Sequence, residues 1–379
     1  MWSQTIYYID KMKIKASALE TIVCLHEDRL GHFPGIQFAI ASLQQHSPEL
    51  RVALSFPNSS PEAEKWIEEQ PSICRVQVNS PSKKGWNIKP DLVLMLLEKG
   101  YGQVIWLDAD IIVNGPILTE IAYEDESVLV STEEPYWGQE QGNELRTKAW
   151  GLTPVRTLNA TVNTGVIRVT QRHRQLIADW QTLLGHPVYL EMQNIPDMQR
   201  PIHMIGDQEV LTALLGGKKY GLTPVRLLRR GVEVAQCFGA GGFCVSERVA
   251  NFLSGRQPQL IHAMGSKPWT RAHCPPKIFK IDSNLKQRIS AYFNYVMLEA
   301  SPYLIAANKL NREDLSSSAW LKKFSFGGRI VTAIGFNNIN LTGLPLAMID
   351  SSGKMLKRFF KISRFATNER YFIKDDPLG

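Results

Sequence analysis

The 379-residue chain is 44% hydrophobic and 21% charged, which is typical of a globular protein and excludes disordered, collagen-like and disulfide-scaffold classes. Its 43 Lys and Arg exceed its 36 Asp and Glu, but residues 318–379 contain ten of the basic and four of the acidic side chains. Because the first 317 residues are therefore nearly neutral, the composition excludes a chain-wide basic surface, and we expect no nucleic-acid partner.

Short apolar runs alternate with segments of helical period through much of the chain. The runs predict strands at residues 21–25, 51–56, 72–78, 104–107, 128–131, 164–169 and 259–262. The periodic segments predict helices at 33–45, 61–69, 89–99, 171–184 and 208–215. This alternation predicts an α/β fold with a mainly parallel mixed sheet and flanking helices.

The elements divide the chain into a sheet domain over residues 1–285 and an extension over 286–379. The extension is predicted to contain an apolar helix at 289–304, a Ser/Asn-rich joint at 308–318 and a basic tail.

Five scattered cysteines form no Cys-x-x-Cys pair, so the sequence favours a reducing compartment over a disulfide framework or a zinc ribbon. The first fifteen residues lack the apolar core of a signal peptide. No apolar run reaches the ~18–20 residues that span a bilayer. These observations predict a cytoplasmic protein.

Two aspartates follow the predicted strand at 104–107. Asp108 and Asp110 are at positions i and i+2, so on an extended chain their side chains share one face, with Cα atoms about 6–7 Å apart. Unpaired carboxylates at that distance repel each other, and a divalent cation would remove the repulsion and bind phosphate oxygens. The alternative is a turn in which one aspartate caps the following element.

A second polar group follows the predicted strand at 259–262. His262 offers a metal ligand, Gly265 permits close approach of the backbone, and Lys267 offers a partner for phosphate. Each has a common structural alternative: a buried histidine, a turn glycine and a solvated lysine. Trp269 is expected to pack rather than to bind substrate.

Four motifs occur in the order found in family 8 glycosyltransferases, which include glycogenin. They are Asp108-Ala109-Asp110, Asn163-Thr164-Gly165, Gly206-Asp207-Gln208 and the segment 262–269. The chain resembles this family over residues 20–269. The resemblance implies the GT-A fold, a nucleotide-diphosphate sugar as donor and a divalent metal, Mn²⁺ with Mg²⁺ as an alternative.

The resemblance implies that Asp108, Asp110 and His262 hold the metal, and that Asp108 also contacts the donor. Lys267 and the Gly265 backbone would hold the diphosphate. Lys89 resembles a basic position that neutralises donor phosphate, and its alternative is a charge on the surface of a helix.

The resemblance also implies a sugar site. Asn163 and Gly165 would contact the donor sugar, the alternative being a turn that enters the strand. Asp207 would bind sugar hydroxyls, although an aspartate there is also a good helix N-cap. Gln208 would lie beneath the anomeric carbon, which favours retention.

One segment departs from the family. The nucleotide-contacting segment after the first strand is replaced by one in which Asp28 is the candidate substitute. The identity of the base is therefore open, with UDP favoured by the resemblance.

These observations predict a hexosyltransferase that uses a nucleotide-sugar donor. The alternatives are a nucleotidyltransferase that forms sugar nucleotides, for which a Gly-rich basic loop after the first strand is expected, and a non-catalytic sugar-nucleotide or membrane-binding scaffold. The acceptor is an unidentified glycan, lipid or protein.

The tail carries a further pattern. Residues 354–365 contain five basic and six large apolar side chains and no acid. At helical spacing these form a partly segregated basic amphipathic helix, which predicts peripheral contact with the inner membrane surface. The alternative is a helix that packs its apolar side on the catalytic domain.

Overall fold

A computed structural model of the protein describes residues 21–78, 85–134, 142–272, 274–276, 285–310, 312–359 and 371–378. Its strands are β1 (Thr21–His26), β2 (Arg51–Ser55), β3 (Ile73–Arg75), β4 (Gln103–Leu107), β5 (Ile111–Val113), β6 (Leu129–Glu134), β7 (Thr161–Thr170), β8 (Val225–Leu228), β9 (Val234–Cys237) and β10 (Leu260–Ala263).

The α-helices are α1 (Phe33–His46), α2 (Pro61–Glu68), α3 (Lys89–Glu98), α4 (Ile117–Ala122), α5 (Gly142–Ala149), α6 (Arg174–Leu184), α7 (Pro187–Met192), α8 (Asp207–Gly216), α9 (Val245–Leu253), α10 (Leu285–Glu299), α11 (Pro302–Ala307), α12 (Glu313–Ser316), α13 (Phe326–Ile334) and α14 (Leu344–Phe359). Short 3₁₀ turns lie at Leu30–His32, Gly85–Ile88, Gln171–His173, Asp197–Gln199, Ile202–Met204, Pro268–Thr270 and Ala319–Leu321.

Two sheets organise the fold. The larger has seven strands in the order β3-β2-β1-β4-β7-β6-β8, and the smaller has three in the order β5-β10-β9. In the larger sheet all neighbouring strands are parallel except β7, which is antiparallel to both β4 and β6. The predicted mainly parallel mixed sheet is confirmed.

Strand β1 shows why helices cover both faces of the larger sheet. Ile22 and Cys24 belong to a core with side chains of α3, α6 and α8. Val23 and Leu25 belong to a second core with side chains of α1, α2 and α4. Because successive side chains of a strand point to opposite faces, an unbroken apolar run requires cover on each side.

The region after the sheets packs on them. Tyr303, Leu304 and Trp320 share a hydrophobic core with Phe38 of α1 and Ile261 of β10. Residues 277–284 lie outside the described part of the chain, so the domain boundary at 285 stays a prediction.

The predicted single helix over 289–304 is wrong. The chain forms α10 and then α11, which begins at Pro302 after the N-cap Ser301. Proline lacks the amide hydrogen that a continuing helix would need, but it is well suited to the first position of a new one.

The predicted amphipathic segment at 354–365 begins within α14, and residues 360–365 lie outside the described residues. Within the described ranges, no helix is both long enough and apolar enough to cross a membrane.

Arg248 joins the sheets to the C-terminal helices. Its buried guanidinium, on α9, donates hydrogen bonds to the carbonyl oxygens of Ala240 at 2.7 Å, Phe243 at 2.8 Å and Thr342 at 2.8 Å. These bonds tie the segment before α14 to the segment before α9.

We expect Arg248→Met to lower the free energy of unfolding by at least about 3 kcal/mol, because each buried carbonyl left without a donor costs about 1–3 kcal/mol. Chemical denaturation measures the loss. The matched control is Arg51→Met, at an exposed strand end, where we expect a change within about 0.5 kcal/mol. Equal losses in the two variants would contradict the role of Arg248.

Candidate functional site

Asp108 and Asp110 lie in a turn between the two sheets. The Asp108 amide donates to the carbonyl oxygen of Gly165 at 2.8 Å, which completes the pairing of β4 with β7. The Ile111 amide then donates to the Asp108 carbonyl oxygen at 3.1 Å, and β5 begins. The prediction that an extended strand places these aspartates on one face is therefore wrong. The turn of the alternative interpretation is present, and it brings the two carboxylates together.

His262 reaches the aspartates through the smaller sheet. Strand β10 pairs antiparallel with β5, so His262 stands opposite Ile111, and the Ala263 amide donates to the Asp110 carbonyl oxygen at 2.9 Å. As a result, ligand atoms of Asp108, Asp110 and His262 all lie within 4.8 Å of one another. The predicted three-residue cluster is brought together.

This cluster fits a divalent cation. Asp110 Oδ1 is buried and lies 3.2 Å from His262 Nε2, yet no described residue donates a hydrogen bond to it. Two carboxylates and an imidazole are a common ligand set for Mn²⁺ and related metals. Asp110 Oδ1, which lacks a hydrogen-bond donor among the described residues, is therefore well placed to bind a metal ion.

Asp108 is held in position by the strand that carries it. The Trp106 indole Nε1 donates to Asp108 Oδ1 at 2.7 Å, and Lys89 Nζ lies 3.1 Å from the same oxygen. Such supporting contacts fix the orientation of a ligand side chain.

Lys89 is not the surface charge that its alternative interpretation required. It is the first residue of α3 and only 3% exposed, and its amine lies 3.4 Å from Asp207 and donates to the Thr164 carbonyl oxygen at 3.0 Å. Burial lowers the pKa of Lys89, but Asp108 and Asp207 outweigh burial and raise that pKa above its usual value. The amine is therefore charged at neutral pH.

Lys267 neutralises the other aspartate. Its amine contacts Asp110 Oδ2 and the Ala263 carbonyl oxygen. Gly265, two residues earlier, has φ of +64°, a left-handed turn conformation that favours glycine. Burial raises the pKa of the Asp110 carboxyl, but Lys267 and His262 outweigh burial and hold that pKa well below its usual range.

Trp269 packs as expected. Its ring lies 5.4 Å from that of Tyr303 and 5.9 Å from that of Trp320, centroid to centroid. The segment that carries His262 and Lys267 therefore rests on the C-terminal helices.

A β-bulge positions the motif at 163–165. The register of β6 against β7 changes from Ser131–Ile167 to Thr132–Asn163, so residues 164–166 of β7 are left out of the strand register with β6. The segment is thus part of a strand, and the alternative of a turn that enters the strand is wrong. Bulges often redirect side chains beside functional sites; here Thr164 contacts Lys89 while Gly165 lies against His262.

Asp207 begins α8 without capping it. The N-cap is Gly206, and no side chain caps the helix, so the N-cap alternative is wrong. The buried Asp207 carboxylate instead accepts a hydrogen bond from the Thr164 hydroxyl at 2.7 Å. Burial raises the pKa of Asp207, although Lys89 and Thr164 partly offset the effect.

Glu134 is a site residue that sequence reasoning missed. At the end of β6, its buried carboxylate accepts from Asn163 Nδ2 at 2.6 Å and from Gln208 Nε2 at 3.4 Å. Glu134 thus connects two of the motifs. These contacts arise from the register change between β6 and β7, and no local sequence pattern around Glu134 indicates them.

Two other acids are engaged away from the cluster. Asp28 Oδ2 accepts from the Gly85 amide at 2.8 Å, and its role toward a nucleotide stays a prediction. Glu209 forms a fully buried ion pair with Arg146 and is not available to a substrate.

No protein-family model and no curated protein matches the chain. Among solved structures, the chain is similar to the glycosyltransferase GlyE of Streptococcus pneumoniae TIGR4, with 16% identity over 73% of this chain and 63% of that chain and a TM-score of 0.40. It thus spans less than two thirds of the GlyE chain.

The chain is also similar to the galactosyltransferase LgtC, solved with donor and acceptor sugar analogs, with 14% identity over 72% of this chain and 95% of that chain and a TM-score of 0.42. A third similar structure is the bifunctional glycosyltransferase WbbM, with 11% identity over 66% of this chain and 46% of that chain and a TM-score of 0.42.

We expect Gly165→Ala to weaken Mn²⁺ binding by about tenfold or more, which is the usual effect of disturbing the residues that orient a metal ligand. A Cβ at residue 165 would lie 2.7 Å from His262 Cε1 and 2.9 Å from Asn163 Oδ1, so the imidazole must move. Titration calorimetry measures the affinity. In the control Gly31→Ala, the added methyl meets no atom within 4 Å, and equal affinities in both variants would contradict the placement of His262.

We expect Lys267→Gln to bind Mn²⁺ alone about tenfold more tightly but to bind UDP with Mn²⁺ more weakly. The amine competes with a cation for Asp110 but attracts phosphate, and a unit charge at this range is worth more than 1 kcal/mol. Titration with metal alone and then with nucleotide separates the effects. Lys99→Gln, at an exposed helix end, is the control; unchanged metal affinity in Lys267→Gln would refute the competition.

Proposed function

We propose that this protein is a metal-dependent glycosyltransferase of GT-A type that moves a hexose from a UDP-linked sugar to an acceptor, with retention at the anomeric carbon. The observation that carries the proposal is the convergence of Asp108, Asp110 and His262 between Lys89 and Lys267. A cation site flanked by two lysines has the chemistry of a diphosphate site.

Asp108, Asp110 and His262 would hold the metal, proposed to be Mn²⁺. When bound, the metal would neutralise negative charge that develops on the diphosphate leaving group. Lys267 can supply part of the same stabilisation, because its amine already lies at the cluster and can turn from a carboxylate to a phosphate oxygen. Lys89 is too deeply enclosed to leave, and it fixes the position of Asp108.

The sugar end of the site would be formed by Asp207, Gln208 and Glu134. The Asp207 carboxylate, which lies beside Lys89, can accept hydrogen bonds from sugar hydroxyls. Glu134 accepts from the Gln208 amide nitrogen, which leaves the amide oxygen as the group that can face developing positive charge on the sugar. This arrangement supports the proposed retention with Gln208 beneath the anomeric carbon.

The alternative of a nucleotidyltransferase is less well supported. Between β1 and α1 the chain has a single glycine, Gly31, within the turn Leu30–His32. The complete set of Asp108, Asp110, His262 and Lys267 counts against a non-catalytic scaffold. The family 8 assignment, the cytoplasmic location and the membrane contact of segment 354–365 stay predictions.

We expect the full chain to release free nucleoside diphosphate from at least one sugar nucleotide when Mn²⁺ is present, and EDTA to abolish the release. A panel of UDP- and GDP-sugars, assayed for nucleoside diphosphate and for pyrophosphate, provides the test. Pyrophosphate formation would identify a nucleotidyltransferase. If the chain neither binds nor turns over any donor of the panel, the enzyme proposal is refuted.

We expect Asp110→Asn to reduce metal-dependent turnover by at least about 100-fold. Loss of a residue that only supports a metal ligand costs about 10–100-fold, and this substitution removes the charge of a ligand itself. The matched substitution Asp125→Asn, at an exposed loop, leaves turnover unchanged. Activity of Asp110→Asn within a fewfold of the control would remove Asp110 from the site.

A further inference from the structure

Helix α13 has small residues at its buried positions and three large apolar residues on its exposed side. Gly328 and Thr332 are its buried positions, and a Cβ on Gly328 would collide with Glu299. The Glu299 carboxylate accepts hydrogen bonds from the amides of Phe324 at 2.6 Å and Ser325 at 3.2 Å. The inner side of the helix is therefore closely fitted to α10.

The outer side of α13 is apolar. Phe326 is 77% exposed, Ile330 42% and Ile334 56%, and a spacing of four residues places them on one face. Phe336, directly after the helix, is 84% exposed. These four residues, here called the α13 face, reverse the usual arrangement of a surface helix, in which polar side chains meet water.

Exposed apolar groups of this kind mark interaction sites, and the surrounding charge indicates the partner. Arg329 lies on the exposed side of α13, and Lys322 is exposed just before the helix. No Asp or Glu occurs between Asp314 and Asp350. The segment between these two aspartates is therefore only positively charged, with Lys322, Lys323 and Arg329 as its charged residues.

We propose that the α13 face docks on an anionic phospholipid bilayer, with its apolar side chains in the interface and Arg329 and Lys322 at the headgroups. An apolar centre bordered by basic residues without acids is the chemistry of a peripheral membrane helix. The contact involves neither the candidate metal cluster nor segment 354–365, so it is independent of the proposed glycosyl transfer.

The test is flotation of the full chain with vesicles of phosphatidylcholine, with and without phosphatidylglycerol. We expect binding to the anionic vesicles that weakens as salt rises. The double variant Phe326→Ser and Ile334→Ser is expected to bind at least about tenfold more weakly, since it loses two large apolar groups. The matched double variant Val155→Ser and Leu222→Ser removes two exposed apolar side chains elsewhere and is expected to bind as the unmodified chain does.

Three results would overturn the proposal. They are absence of binding by the unmodified chain, equal binding of the two double variants, and a dimer of the unmodified chain that only Phe326→Ser with Ile334→Ser dissociates. The last would assign the α13 face to self-association. Both variants change exposed positions, and matching melting temperatures show that a loss of binding does not come from unfolding.

Discussion

The candidate site depends on one antiparallel pairing, that of β5 with β10. It sets His262 opposite Ile111 and so beside Asp110, although the two residues are far apart in the sequence. Strand β5 has only three residues, and its pairing with β10 is continued by the hydrogen bond from Ala263 to the Asp110 carbonyl. Without this small second sheet, the carboxylates at the end of β4 and the imidazole at the end of β10 would belong to separate surfaces.

Electrostatic compensation organises the same place. Each aspartate of the cluster has its own lysine, Lys89 for Asp108 and Lys267 for Asp110. The two lysines differ in freedom, because Lys89 is enclosed by Thr164 and Asp207 whereas Lys267 lies in a loop after Gly265. Lys89 is therefore a fixed part of the scaffold, and in the proposed function Lys267 is the lysine that would exchange its carboxylate partner for a phosphate.

The sequence predicts most of the larger sheet well, because strands such as β1 and β4 are unbroken apolar runs. It misses β5, since Ile111–Val113 follows β4 after only three residues and has no turn glycine to separate it. The cluster of Asp108, Asp110 and His262 could be predicted because it lies in recognisable motifs. Glu134 could not, because its contacts arise from a register change between β6 and β7 that no local pattern encodes.

The paired arrangement of lysines and aspartates also bears on how a donor would arrive. Asp108, Asp110 and Asp207 face two lysine cations, so the cluster has little net charge to project into solvent. A sugar nucleotide that carries its own divalent cation is close to neutral as well. Long-range attraction between two nearly neutral bodies is weak, so the capture of such a donor would be governed by shape and short-range contacts, and its rate would vary little with ionic strength.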